Sequence, residues 1–191
     1  MGFDTESFRA GRKMPKLVAF LRAINAGPGR VVRMKVLPHA FESLGFSGVA
    51  TFLGSGNVMF ETSAKDAALL EKKIERRLQQ VLGYKAPVFI RTLAELKELA
   101  DLEPFENSEI HGADLNIIFL ADSLDERSKA KLLALRTGID GFRVHGREIY
   151  WWHHKKPGTL LYSTVPLEKL LPVPFTIRST NTIRKLAANW P

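Results

Sequence analysis

Three short polar clusters in this chain have residue types suited to holding an anion, and none of them sets a nucleophile beside a base. The first is Arg22-Ala-Ile-Asn25-Ala-Gly27-Pro-Gly29-Arg30, which follows an apolar run and leads on to Arg33. Glycines here offer backbone N–H groups ahead of a helix start, and the arginines add positive charge, so the loop has the makings of an anion cradle. Its spacing is neither a Walker A loop nor a dinucleotide fingerprint. A glycine turn flanked by solvated arginines accounts for the same residues, and both readings stay open.

The second cluster is Ser55-Gly56-Asn57. Glycine and asparagine tolerate positive φ, so a hairpin turn is its first use. Ser55 and Asn57 could also present short hydrogen-bonding groups to a ligand. Ser55 has no base nearby in sequence and makes a poor nucleophile. The third cluster is Thr176-Ile-Arg178-Ser-Thr-Asn181-Thr182, where Ser179 or Thr180 can cap a helix. Arg178 precedes that helix, where helix dipole and guanidinium together favour an anion. The competing reading is an ordinary cap whose arginine pairs with a carboxylate.

Trp151-Trp152-His153-His154-Lys155-Lys156 is the most unusual composition. On a strand, Ile149, Trp151 and His153 share one face and Tyr150, Trp152 and His154 the other, so the adjacent histidines cannot chelate one metal. Tyr150 or Trp152 beside the lysines could stack on bases. The alternative puts one tryptophan in the core and the other over a surface.

There is no cysteine, which excludes disulfides, thiolate metal sites and cysteine nucleophiles. No motif calls for a cofactor or metal, and no residue earns a catalytic role, so an enzyme of unknown reaction remains only an open alternative. The net charge is +8. Arg143, Arg147, Lys155, Lys156, Lys169, Arg178, Arg184 and Lys185 face only Glu148 and Glu168 over residues 142–191. A basic end suits an anionic partner, nucleic acid included. Residues 1–13 lack an apolar signal core and read as a disordered extension ahead of Met14. No apolar run is long enough for a bilayer. The expected location is the cytoplasm, and nothing in the sequence sets the oligomeric state.

The elements that must position these clusters follow from periodicity. Residues 16–22 read as a buried strand, and 33–44 as a helix with Met34, Leu37, Phe41 and Leu44 on one stripe. Residues 49–53 and 58–61 form a hairpin, 66–82 a helix and 86–91 a strand. This β-α-β-β-α-β order is that of a ferredoxin-like unit. A capped helix at 94–102 and an acidic linker at 103–112 follow. The rest reads as a strand at 115–121, a helix at 126–135 and a hairpin of 141–144 with 148–153. A partly helical stretch at 159–171, an extended link at 172–174 and a helix at 180–188 close the chain. The expected fold is α+β, with a ferredoxin-like half at 14–102 and a second, related α/β half at 103–191 that ends in a basic helix. No clear sequence repeat accompanies that likeness.

Taken together, the chain resembles a widespread bacterial family of unknown function. Members open with a pattern like A-x-L-R-G-I-N-V-G-G, continue through M-x-x-L, L-G-F and S-G-N-V-x-F, and close with S-K-L, E-K-x-L and T-x-R-N-W-N-T-V-x-K-L. Here stand Ala19-Phe-Leu-Arg22-Ala23-Ile24-Asn25-Ala26-Gly27, Met34 and Leu37, Leu44-Gly-Phe46, and Ser55-Gly-Asn-Val-Met-Phe60. Further on come Ser163, Glu168-Lys-Leu-Leu171 and Thr176-Ile-Arg178-Ser-Thr-Asn181-Thr-Ile-Arg-Lys-Leu186. Ala23, Pro28, Thr164, Ser179 and Thr180 depart from the pattern. The resemblance implies ferredoxin-like halves and no activity. It maps the family's polar positions onto Arg22, Asn25, Ser55, Asn57, Ser163, Arg178, Asn181 and Thr182. We expect these eight to converge on one pocket between the halves that takes a small anionic or nucleotide-like ligand, with a polar network stitching the halves as the competing account.

Overall fold

The structure is a computed structural model, and it describes residues 14–22, 24, 32, 35–53, 56–135, 137–154 and 166–190. Its first half is organised by β1 (Lys16–Leu21), an apolar strand that pairs antiparallel with β3 (Asn57–Glu61) on one side and β4 (Val88–Thr92) on the other. Adding β2 (Ser47–Phe52) gives a four-stranded sheet in the order β2-β3-β1-β4. Alternation along β1 sends Leu17, Ala19 and Leu21 to one face and Val18 and Phe20 to the other. The first set packs under α1 (Val36–Glu42) and α2 (Ala67–Leu82), where Leu70, Ile74 and Leu78 recur every fourth residue. The side chain of Asp66 caps α2 by accepting the Leu69 N–H at 3.0 Å. Glu71 and Glu75 reach from α2 to the Ile90 and Val88 N–H groups at 2.8 and 3.0 Å. Those donors lie on the outer side of an edge strand, so the carboxylates cover it.

The chain then runs through α3 (Leu93–Asp101) and a short α4 (Asn107–Ile110) into β5 (Asp114–Leu120). After it come α5 (Glu126–Leu133), β6 (Asp140–His145), β7 (Glu148–His153), α6 (Leu167–Leu170), β8 (Phe175–Ser179) and α7 (Thr180–Ala188). The second sheet has the order β6-β7-β5-β8, which matches the first position for position. The linker expected at 103–112 thus holds one helical turn. The expected helix at 159–171 is described only as α6, since 159–165 fall outside the described residues. Strand β8 is missing from the periodicity reading. It is five residues long, with Pro174 in front and the helix cap at its end, too short for a period to show.

The first sheet keeps α1 and α2 and the second α5 and α6 on their outer faces, and the two sheets turn their other faces together. Phe20 and Phe119 stack across the seam with ring centroids 4.4 Å apart. Met59, Phe89, Ile117, Tyr150 and Trp152 complete the shared core, and α3 packs on α7 at its flank. The tryptophan pair differs from expectation. Trp152 lies in the shared core and Trp151 in the outer core of the second half, each 6% exposed, because β7 is a central strand covered on both faces. Among the described residues no helix is long and apolar enough to cross a membrane.

Candidate functional site

Each half places an arginine at the junction between its last strand and the helix that follows. Ile90-Arg91-Thr92 leads into α3 and Ile177-Arg178-Ser179 into α7. The hydroxyls of Thr92 and Ser179 cap those helices, accepting the N–H groups of Glu95 at 3.1 Å and Thr182 at 3.2 Å. The caps fix the chain direction, and alternation turns each preceding arginine toward the seam.

The two arginines then cross the seam reciprocally. Arg178 donates from Nη2 to the Leu21 carbonyl at 3.0 Å, and Arg91 from Nη2 to the Leu120 carbonyl at 3.2 Å. Their Nη1 groups bond the carbonyls of Ile177 and Ile90, both at 2.7 Å. Arg178 lies over the Phe20 ring and Arg91 over the Phe119 ring, each at 5.5 Å. The strand ends match too. Leu21 N–H bonds the Gly56 carbonyl and Leu120 N–H the Arg147 carbonyl, at 2.7 and 2.9 Å. Reciprocal contacts of this kind are the signature of a twofold relation, here within one chain.

The twins differ in what they do with Nε. Arg91 is 1% exposed and ion-pairs through Nε with Glu148 at 2.5 Å. Arg178 donates from Nε to the amide oxygen of Asn57 at 2.6 Å. Asn57 is fully buried, and its own NH2 donates to the Phe52 carbonyl at 3.1 Å, which fixes the oxygen toward the arginine. Burial lowers the Arg178 pKa from its ordinary value to about 10. Gly56 keeps this corner tight. Its φ is +74°, and a Cβ there would meet the Leu21 carbonyl oxygen at 3.1 Å.

Arg22 follows Leu21 directly. Its N–H bonds the Pro87 carbonyl at 2.9 Å, so the backbone is fixed. Its guanidinium crosses the seam, lies 4.9 Å from the Phe175 ring centroid and pairs with Glu168 of α6 at 2.5 Å. The Arg22 side chain is 31% exposed and that of Glu168 69%. Arg22 is therefore a pre-positioned cation reached from solvent, and Arg178 is a bound-in cation beneath it.

The structure thus brings Arg22, Asn57 and Arg178 together. Asn25, Ser55 and Ser163 lie outside the described residues. Thr182 serves the α7 cap, its hydroxyl 3.0 Å from that of Ser179. Asn181 is exposed and lines a different place, an open groove of about 730 Å³ that also touches Asn116, His153 and Arg184. A smaller hollow of about 190 Å³ lies beside it, between Leu99, Phe105 and Tyr150. Of the five expected positions that are described, Asn181 and Thr182 therefore stand apart from Arg22, Asn57 and Arg178. Tyr150 and Trp152 are also withdrawn from any role in base stacking, because both are buried in the shared core. The Tyr150 hydroxyl donates to the Leu99 carbonyl at 2.9 Å. Burial first, and the Glu148 carboxylate second, raise its pKa. His153 and His154 diverge as strand alternation requires, one against Trp151 and the other against Trp152. Among the described residues no three His, Asp or Glu side chains cluster for a metal.

Sequence reasoning missed Arg91 and Glu148. The signal for Arg91 is present: an isoleucine-arginine-hydroxyl triplet immediately before a capped helix occurs once in each half.

Comparison with known proteins agrees on fold and is silent on activity. A family described as "Protein of unknown function (DUF1697)" matches residues 14–150. No curated protein matches the chain. Among solved structures, a conserved bacterial protein from Streptococcus pneumoniae superposes with a TM-score of 0.71 at 21% identity, covering 92% of this chain and 98% of that one.

Proposed function

The chain belongs to the family described as "Protein of unknown function (DUF1697)", and on that premise we propose that it is a binding module for a small anionic, nucleotide-like ligand at the mouth of the seam between its halves. One observation carries the reading. The Arg22 backbone is fixed by its bond to Pro87 and its guanidinium lies against Phe175, yet its partner is the mostly exposed Glu168. A side chain so exposed gains little from its ion pair and is readily displaced. A phosphate or carboxylate of a ligand would take the place of the Glu168 carboxylate, with charge-assisted bonds to the guanidinium. Arg178 and Asn57 support the reading from below by fixing the Leu21 carbonyl and hence the start of the Arg22 side chain.

A thermal-shift panel of inorganic phosphate, AMP, ATP and sugar phosphates tests it. An anion in the panel is expected to raise the melting temperature of the wild type. For inorganic phosphate and the sugar phosphates, Arg22→Ala is expected to abolish that rise, and Glu168→Gln to enlarge it by removing the competing carboxylate. If no anion stabilises the wild type more than Arg22→Ala, the reading fails. Arg178→Ala is a poor probe, because it also removes hydrogen bonds that hold the halves together.

A further inference from the structure

The duplication supplies an internal control for the paired strands, since a position on a strand of one half has a twin in the other. Counting back from the matched carbonyls of Leu21 and Leu120, Asn116 of β5 is the twin of Leu17 of β1. The ladders agree: Leu17 pairs with Phe60 and Thr92, and Asn116 with Trp151 and Ser179. His153 likewise corresponds to Thr62, and Ile177 to Ile90.

In the first half this patch is closed. Leu17 and Ile90 lie beneath Ala67 and Leu70 at the start of the sixteen-residue α2, and the hollow left there is about 180 Å³. In the second half, among the described residues, the helix at the same place in the order is the four-residue α6, and the patch faces the groove of about 730 Å³. Opening alone would leave an apolar floor. Instead the position of Leu17 is taken by a carboxamide, and His153, 3% exposed, stands in the wall beside Trp151. Packing does not ask for an asparagine where the same fold accepts a leucine.

The groove's polar groups have a definite chemistry. Asn116 and Asn181 each pair a donor with an acceptor, which suits the edge of a nucleobase. Asp114 accepts from hydroxyl groups. Arg184, one turn after Asn181 on α7, is exposed and supplies a cation for a terminal anion. The volume is in the usual range for a small-molecule site of about 300–1,000 Å³.

We propose that this groove of the second half is a binding site for a nucleoside monophosphate, separate from the seam mouth at Arg22 and independent of it. Full-length protein is titrated with AMP, adenosine and inorganic phosphate while the side-chain amide resonances of asparagine and the indole resonances are followed by NMR. Saturable AMP binding is expected to move the amides of Asn116 and Asn181. Arg184→Ala and Asn116→Leu, the latter installing the residue of the twin position, are each expected to weaken AMP roughly tenfold. Arg22→Ala is expected to leave the AMP affinity unchanged, whatever it does to anion binding at the seam. The proposal is overturned if AMP moves none of these amides at millimolar concentration, or if both groove variants bind AMP like the wild type. It is equally overturned if inorganic phosphate alone moves these groove amides at as low a concentration as AMP does. Arg184 is exposed, so that variant remains informative even if Asn116→Leu fails to fold.

Discussion

At the scale of single residues, the twin arginines show how one position can be made compatible with burial in two ways. Arg91 meets a carboxylate and Arg178 an amide. Removing Arg91 would leave Glu148 buried without its partner, and a broken buried pair costs about 3–5 kcal/mol. Arg91→Ala is therefore expected to lose that much in a urea denaturation. Glu148→Gln keeps an acceptor oxygen, as Asn57 does for Arg178, and is expected to lose only about 1 kcal/mol. Equal losses from the two variants would refute this account. Arg22, Asn57 and Arg178 were legible in the sequence because each sits at a turn or a cap, where a polar residue is conspicuous. Arg91 was not. It ends the run Val88-Phe-Ile, which reads as plain apolar strand, and only the opposite half explains why a guanidinium belongs there. Glu148 opens a strand, and the sequence distinguishes it only as one of two carboxylates in a basic stretch.

At the scale of elements, the contrast between α2 and α6 decides which parts of the two sheets are covered. Glu71 of α2 caps the edge of β4 from a partly buried position, and burial raises its pKa despite the bond from Ile90. A carboxyl whose folded pKa is raised destabilises the fold as it ionises, so this contribution is lost as pH rises through and above the ordinary value of 4.5. Glu71→Gln keeps the acceptor without the charge. Its melting temperature relative to wild type is expected to be level near pH 4 and higher near pH 7. A gap that shrinks toward neutral pH would contradict the sign. Strand packing sets another limit at Gly141, which lies opposite Trp152. A Cβ there would fall 2.3 Å from the indole Nε1. Gly141→Ala is expected to destabilise by about 1–3 kcal/mol, read as an earlier urea midpoint. Most elements were readable from periodicity and caps: the capped helix expected at 94–102 is present as α3, held by a capping box in which the Thr92 N–H donates to Glu95 at 2.6 Å. Strand β8 was not readable, since its pairing with β5 lies in distant sequence, and no local pattern carries that information.

At the scale of the whole molecule, the halves share a core that neither could bury alone. The β-α-β-β-α theme of the second half was visible in the sequence. The twofold relation was not, because it is written in contacts between residues far apart. Residues 14–102 expressed alone would expose Val18, Phe20, Met59 and Phe89 of the inner face. That face is nearly self-complementary, since Arg91 could meet Asn57 and the Leu21 carbonyl of a second copy as Arg178 does here. The fragment is expected to elute as a dimer in size-exclusion chromatography, and a well-folded monomer would refute this. The reciprocal seam has one further consequence. In an assembly of two identical chains, every mutation appears twice, so neither face can change without the other. A tandem chain escapes that constraint. One copy can keep leucine under its long helix while the other acquires asparagine in an open groove, and natural selection can shape the two surfaces for unrelated tasks.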